Sequence, residues 1–210
     1  MLSSFKGFVA RTKLTHRRRQ METGTFRFPD ALRTSKQVLV CLPGELRELT
    51  ALKPHLAEIK DLFKSATITL LAQPGLKIAD IFPSRGFNIL TPSDDQVSWT
   101  GLAKSSYLDF LKDYKFDVIL DLNLGTSTFT SSILLHYPNA LRIGRGNHLG
   151  RPYYNLEIKT RYLRDERNIY RSVLETLRVL KDGRPKAEKD KEPVAADLLI
   201  KRRNGVPKET

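Results

Sequence analysis

Among its 210 residues the chain has a single cysteine, Cys41. That excludes an intramolecular disulfide and a small disulfide-stapled fold, and points to a reducing compartment. Cys41 sits inside an apolar run, where a thiol serves packing more readily than nucleophilic attack. No apolar run approaches the ~20 residues of a membrane span. The expected location is the cytoplasm, in solution or peripherally on a membrane face. Glycine is also missing where a dinucleotide site would need it: Gly44 stands alone after the first apolar strand, which excludes the usual pyrophosphate cradle. His55 and His136 lie in helical stretches and His16 and His148 in basic ones, none at metal-ligand spacing. No Ser/His/Asp arrangement can be argued either, so no metal and no cofactor is expected. The first 20 residues contain no acid at all.

What the chain does have is positive charge, unevenly placed. The net charge is +13. Residues 1–36 hold nine Lys/Arg against two acids and residues 142–171 hold eight against three, whereas residues 37–141 hold nine against eleven. The centre is nearly neutral and the ends are basic, the pattern of a core whose appendages meet an anionic partner. With 40% apolar residues, one domain with tails is expected: a basic arm over 1–36, a folded unit over 37–180 and a charged, disordered tail over 181–210.

Within the central unit, short β-branched runs alternate with helical stretches. Strands are predicted at 38–42, 67–71, 87–90, 117–122 and 141–144, and helices at 47–63, 77–82, 105–114, 128–136 and 164–180. This rhythm means βαβ units and a parallel sheet with right-handed crossovers, ordered 3-2-1-4-5. The nearly unbroken apolar content of "FDVILDL" marks a central strand covered on both faces. In the last helix, Ile169, Val173, Leu177 and Leu180 share the sheet-facing side, and Arg164, Arg167, Arg171 and Arg178 lie away from it.

In such a sheet, ligands are held at the carboxyl ends of the strands. The turn after the first strand, "PGELRE", carries Glu45, Arg47 and Glu48. As structural residues the two acids favour the helix amino terminus through its dipole; as chemical ones they are candidate bases. Asn123, Thr126 and Ser127 in "NLGTSTFTSS" lie on the same rim and read either as sugar or phosphate ligands or as helix caps. Asp121, at the end of its strand, reads equally as structural or functional.

These segments resemble the family 9 glycosyltransferases, which include the lipopolysaccharide heptosyltransferases. The "VLVCLPGELRELTALKP" stretch resembles that family's opening strand, Gly-Asp turn and Leu-Pro helix, with Pro54 at the Pro, Glu48 at the Asp and Arg47 at the Gly. "YKFDVILDLNLGTSTFTSSILL" and "ALRIGRG" resemble two later family segments in the same order. The resemblance covers about 37–180. It implies an α/β, Rossmann-like half of a GT-B fold, the half that receives the acceptor sugar, with the turn's carboxylate as general base. The donor-binding half has no counterpart here. The departures matter. Glu for Asp moves the carboxylate by one methylene, on the scale at which misplacement costs about 10²-fold. Arg47, expected to pair with Glu48 or Glu45, would hold the carboxylate ionised and lower its basicity.

Two functions follow. One is a non-catalytic relic serving as a binding or assembly subunit for an anionic partner: a protein complex, a membrane surface or RNA. The other is an acceptor-binding subunit completed by a donor-domain chain. For the first, the candidate cations are Arg17, Arg18 and Arg19 in the arm, and Arg145, Arg151, Arg164, Arg167 and Arg171 in the segment "RIGRGNHLGRPYYNLEIKTRYLRDERNIYR". That segment interleaves them with Tyr153, Tyr154, Tyr162 and Tyr170, which serve stacking if exposed and the core if buried. Leu2, Phe5, Phe8 and Val9 share one face if the arm is helical. The arm is then a surface helix on an anionic bilayer, an organellar transit peptide or a solvated basic extension.

Overall fold

The computed structural model describes residues 2–21, 24–78, 81–82, 86–145 and 152–182. The expected tail beyond Asp182, Arg151 and His148 lie outside these residues. Six strands form one sheet: β1 (Gln37–Cys41), β2 (Thr67–Leu71), β3 (Asn88–Leu90), β4 (Val118–Asp121), β5 (Leu141–Arg145) and β6 (Leu156–Ile158). Every pairing is parallel and the order is β3-β2-β1-β4-β5-β6, so the expected 3-2-1-4-5 sheet is present with one strand added at its end. β1 lies at the centre, with Val40 opposite Leu70 on one side and Leu120 on the other.

The period of two in a strand sends alternate side chains to opposite faces. Val38, Val40 and Leu42 enter one core with Val118, Leu120, Leu141 and Ile143. Helices α2 (Asp30–Arg33), α3 (Leu46–Leu52), α4 (Leu56–Leu62) and the last helix, α7 (Glu166–Asp182), cover this face. Leu39, Cys41 and Ile119 enter the other core under α5 (Ser105–Lys112) and α6 (Thr128–Leu134). Each Leu, Ile or Val buried this way contributes about 1.5 to 3 kcal/mol. On α7, Ile169, Val173 and Leu177 are buried as expected, Leu180 is partly so, and Arg164, Arg167 and Arg171 are exposed.

Four expectations change. The helix predicted over 47–63 is two helices joined by a 3₁₀ turn at Lys53–His55, where Pro54 lacks the N–H an unbroken α-helix would use. Over 77–82 the described residues form no helix: the Ile78 carbonyl accepts from both Ile81 and Phe82, and Ile78 and Phe82 are buried, while 79 and 80 lie outside the described residues. Tyr153, Tyr154 and Tyr170 are core residues, so the stacking role is excluded for these three; only Tyr162 is partly exposed. The arm, finally, is not a mere appendage. Its helix α1 (Leu2–Gln20) packs on α6, with Ala10 buried and Leu14 and Met21 against the second core. Farther along, Leu32 lies in the first core, and Arg33 Nε donates to the Lys181 carbonyl at 2.7 Å, tying α2 to the end of α7.

Beneath α1 lies a buried cation. Arg142 on β5 is 0% exposed and has no carboxylate partner among the described residues. Its Nε donates to Asn155 Oδ1 (3.2 Å) and its Nη1 to the Leu134 carbonyl (3.2 Å) and Met21 Sδ (3.0 Å). Nη2 has no partner among the described residues, and burial pulls the guanidinium down to about 10.

Candidate functional site

The carboxyl ends of β1, β2, β4 and β5 open onto one rim, and most of the anticipated site residues are there. Glu45 caps α3 from an extended backbone without a side-chain hydrogen bond, and Glu48 follows in the helix's first turn. Behind them Asp121 is buried. Its Oδ1 accepts from Asn123 N (3.1 Å) and Nδ2 (2.6 Å), and its Oδ2 from the Tyr154 hydroxyl (2.6 Å). Gln73, beyond β2, completes a closed network: its Nε2 donates to the Leu42 carbonyl (3.0 Å), Asn123 Oδ1 (3.2 Å) and Thr130 Oγ1 (2.9 Å). Ser127 Oγ donates to Gln73 Oε1 (2.8 Å) and accepts from Thr130 N (3.1 Å), capping α6.

Asn123 and Ser127, candidate ligand binders from sequence, are thus engaged with neighbours. Thr126 is exposed at the mouth of the rim. Cys41, at the end of β1, is fully buried, and burial followed by the Asp121 charge pushes its thiol well up; it is an inert packing group.

Arg47 departs from expectation. It pairs with neither Glu48 nor Glu45: its Nη2 reaches Glu166 at the start of α7, with contacts of 2.9 and 3.0 Å. Glu48 is left half-buried. Burial first, then the charge of Glu45, raise its carboxyl above the ordinary carboxylate range; Glu166 adds to this, while the Leu124 backbone N–H and Arg145 oppose it. The site is therefore a group of three carboxyls, Glu45, Glu48 and Glu166, with Arg145 near Glu48. Close by is Tyr170, whose buried hydroxyl has no hydrogen-bond partner among the described residues and whose proton is held more tightly by burial and by the Glu48 and Glu166 charges. Glu166 was not found from sequence, and Tyr170 was read there as a stacking or core residue, not as a neighbour of Glu48. Glu166 meets Arg47 across 119 residues of chain, and only their opposite charges hinted at the pairing.

A carboxyl whose folded value is raised favours the fold in its neutral form. That contribution is present below the ordinary carboxylate value and is lost as pH rises through the raised one. Glu48→Gln, which copies the neutral form, is expected to melt about 1 to 2 °C higher than wild type at pH 8, an effect of about 0.5 kcal/mol after screening, and to melt with wild type at pH 4. A lower melting temperature at pH 8 would mean that Glu48 has a cation partner.

The remaining candidate cations divide. Arg145 belongs to the rim beside Glu48 and donates to the Tyr162 carbonyl at 3.4 Å. Arg17, Arg18 and Arg19 are exposed on the last turn of α1, where the helix dipole also favours cations. Arg17 lines a cleft of about 640 Å³ with Gln20, His136 and Asn139. Burial, then Lys112 and Arg17, hold His136 below its ordinary value. Arg164, Arg167 and Arg171 are exposed at and before α7, with Arg171 paired to Glu175 at 2.9 Å. Because α1 and α7 cover opposite faces of the sheet, the cations form two surfaces rather than one.

An open parallel sheet of this order, with its carboxylate-bearing turn after the central strand, has the Rossmann-like form of one half of a GT-B glycosyltransferase. No protein-family model matches the sequence, and no curated protein matches it. Solved structures do. The Escherichia coli heptosyltransferase WaaC, determined with ADP, is similar at a TM-score of 0.51 and 11% identity over 66% of this chain and 46% of that one. A glycosyl transferase family 9 protein of Veillonella parvula is similar at 0.51 and 15% identity over 68% of this chain and 41% of the other. The chain therefore spans less than half the length of either structure, and at these identities the likeness is one of fold.

Proposed function

We propose that the chain is a glycosyltransferase-like half-domain that works as a binding or assembly subunit, without turnover of its own, and that its basic helices hold an anionic partner. The observation that carries this reading is the contrast between its two kinds of polar surface. On the rim, Gln73, Asn123, Ser127 and Thr130 are hydrogen-bonded to one another, and a sugar would have to break that network to use them. On α1 and α7 the cations stand exposed, where a polyanion meets them with little rearrangement.

One feature favours a second reading, an acceptor-binding subunit completed by a donor-domain chain. Glu48 is held apart from Arg47 with a raised carboxyl, and the Tyr170 hydroxyl near it is unpartnered among the described residues. A carboxyl tuned upward suits a general base better than one clamped by arginine. Activity separates the two. The purified chain, given nucleotide sugars and a lipopolysaccharide-core acceptor, is expected to release no nucleotide above the blank. Release that disappears in Glu48→Gln would overturn the first reading in favour of the second.

A further inference from the structure

Helix α1 divides into three strips. Ala10 and Leu14 face the fold. On the outward side Phe5 is 59% exposed and Phe8 68%, and Trp99, from the loop after the 3₁₀ turn Asp94–Gln96, is 57% exposed. Phe5 and Trp99 stack with ring centroids 6.2 Å apart, and Phe8, three residues on from Phe5, lies on the same side of the helix, so the three exposed apolar side chains lie along one ridge. At 100° per residue, Lys6 and Lys13 fall on one flank of that ridge and Arg11 and Arg18 on the other, while Arg19 lies three turns beyond Phe8 in the same line. All five cations are exposed, and Phe8, Arg11 and Arg19 line one groove. The 19 residues of the helix include no acid.

Aromatic side chains left in water at the centre of a cationic strip are unfavourable for a free protein surface, and they are what an interfacial helix needs: apolar rings for the acyl boundary and cations for the headgroups. We infer that α1 and Trp99 form a docking ridge for an anionic lipid bilayer, with Phe5, Phe8 and Trp99 entering the interface and Lys6, Arg11, Lys13, Arg18 and Arg19 contacting lipid phosphates. This names the partner of one basic surface and rests on the reading of that surface as partner-binding. RNA fits less well. A nucleic-acid strand needs free ring faces on which to stack its bases, and Phe5 and Trp99 already cover one face of each other. The helix lies on the membrane rather than crossing it, since no helix among the described residues is long and apolar enough to span.

Trp99 is the only tryptophan in the chain, so its fluorescence reports docking directly. The probe is large vesicles of phosphatidylcholine alone or with about 30% phosphatidylglycerol, added to the full chain. The expected result is a blue shift of Trp99 emission and quenching by brominated acyl chains with the anionic vesicles, and partitioning at least tenfold weaker onto neutral ones. Phe5→Ser with Phe8→Ser, and separately Lys6→Gln with Lys13→Gln, should each reduce partitioning roughly tenfold at an unchanged melting temperature. Binding that ignores the phenylalanine pair, or that is equal on neutral vesicles, overturns the inference. Retention on heparin without vesicle binding overturns the membrane assignment while leaving the anionic-partner reading standing, and failure on both removes both.

Discussion

Gly144→Ala is expected to melt roughly 8 to 16 °C below wild type, and Gly144→Val to accumulate unfolded. Gly144 lies in β5 under the ring of Tyr154, and a Cβ built there would sit 2.7 Å from Cδ1 and closer still to Cε1 and Cζ. The ring has no free direction in which to yield. It is buried in the second core and its hydroxyl is fixed to Asp121 Oδ2 at 2.6 Å. Displacing it combines overpacking, about 1 to 3 kcal/mol, with a buried hydroxyl and carboxylate that lose each other, about 1 to 3 kcal/mol more. The sum, near 4 kcal/mol, is a large part of the 5 to 15 kcal/mol typical of a domain. Tyr154→Phe, which keeps the ring and removes the hydroxyl, isolates the second contribution and should lose about half as much. If Gly144→Ala melts with wild type, the ring does not cover that position.

Binding to a model polyanion such as heparin is expected to fall steeply as salt rises from about 50 to about 300 mM, because each phosphate or sulfate contact releases condensed counterions. Changing Arg17, Arg18 and Arg19 together to Gln should weaken binding roughly 10²-fold at the lower salt, from about 1 kcal/mol per cation near an anionic surface. Reversing Arg164, Arg167 and Arg171 tests the other face of the sheet. A loss is expected there too, although Arg171 is engaged by Glu175. Both variants should melt within a degree or two of wild type, because these side chains are exposed. Equal affinity at the two salt levels would reduce the charge to a solvated coat, and a large fall in melting temperature for the α7 variant would mean that its face is structural.

The parallel sheet was legible in the sequence because each of its first five strands is a short apolar run closed by Gly, Pro or Asn, and their order follows from the βαβ rhythm. β6 was not legible. Its three residues, Leu156–Ile158, lie among arginines and tyrosines, and composition over that window speaks of surface rather than strand. The tyrosines misled for the same reason: Tyr153, Tyr154 and Tyr170 are amphipathic, and only the fold decides whether the ring or the hydroxyl is covered. At the rim, the position of Glu48 could be read from the order of strand, turn and helix. Its electrostatics could not, because they depend first on burial by the fold and also on Glu166, contributed by a helix more than 100 residues away. The placement of α1 was hidden too, since its inward residues, Ala10 and Leu14, are smaller than the phenylalanines it leaves outside.

The bond from Arg142 to Met21 Sδ bears on how α1 can act. Lying just past the helix's last residue, it fastens that end to β5, while Ala10 and Leu14 hold the middle against α6. The helix is thus a mount rather than a leash. A leash would have to be ordered at the moment of association, whereas a mounted helix is already aligned, and association immobilises only its outward side chains, at about 0.5 to 1.5 kcal/mol each. It also transmits direction. If α1 docks as inferred, its partner is held at a set angle to the sheet, and with it to the Glu48 rim.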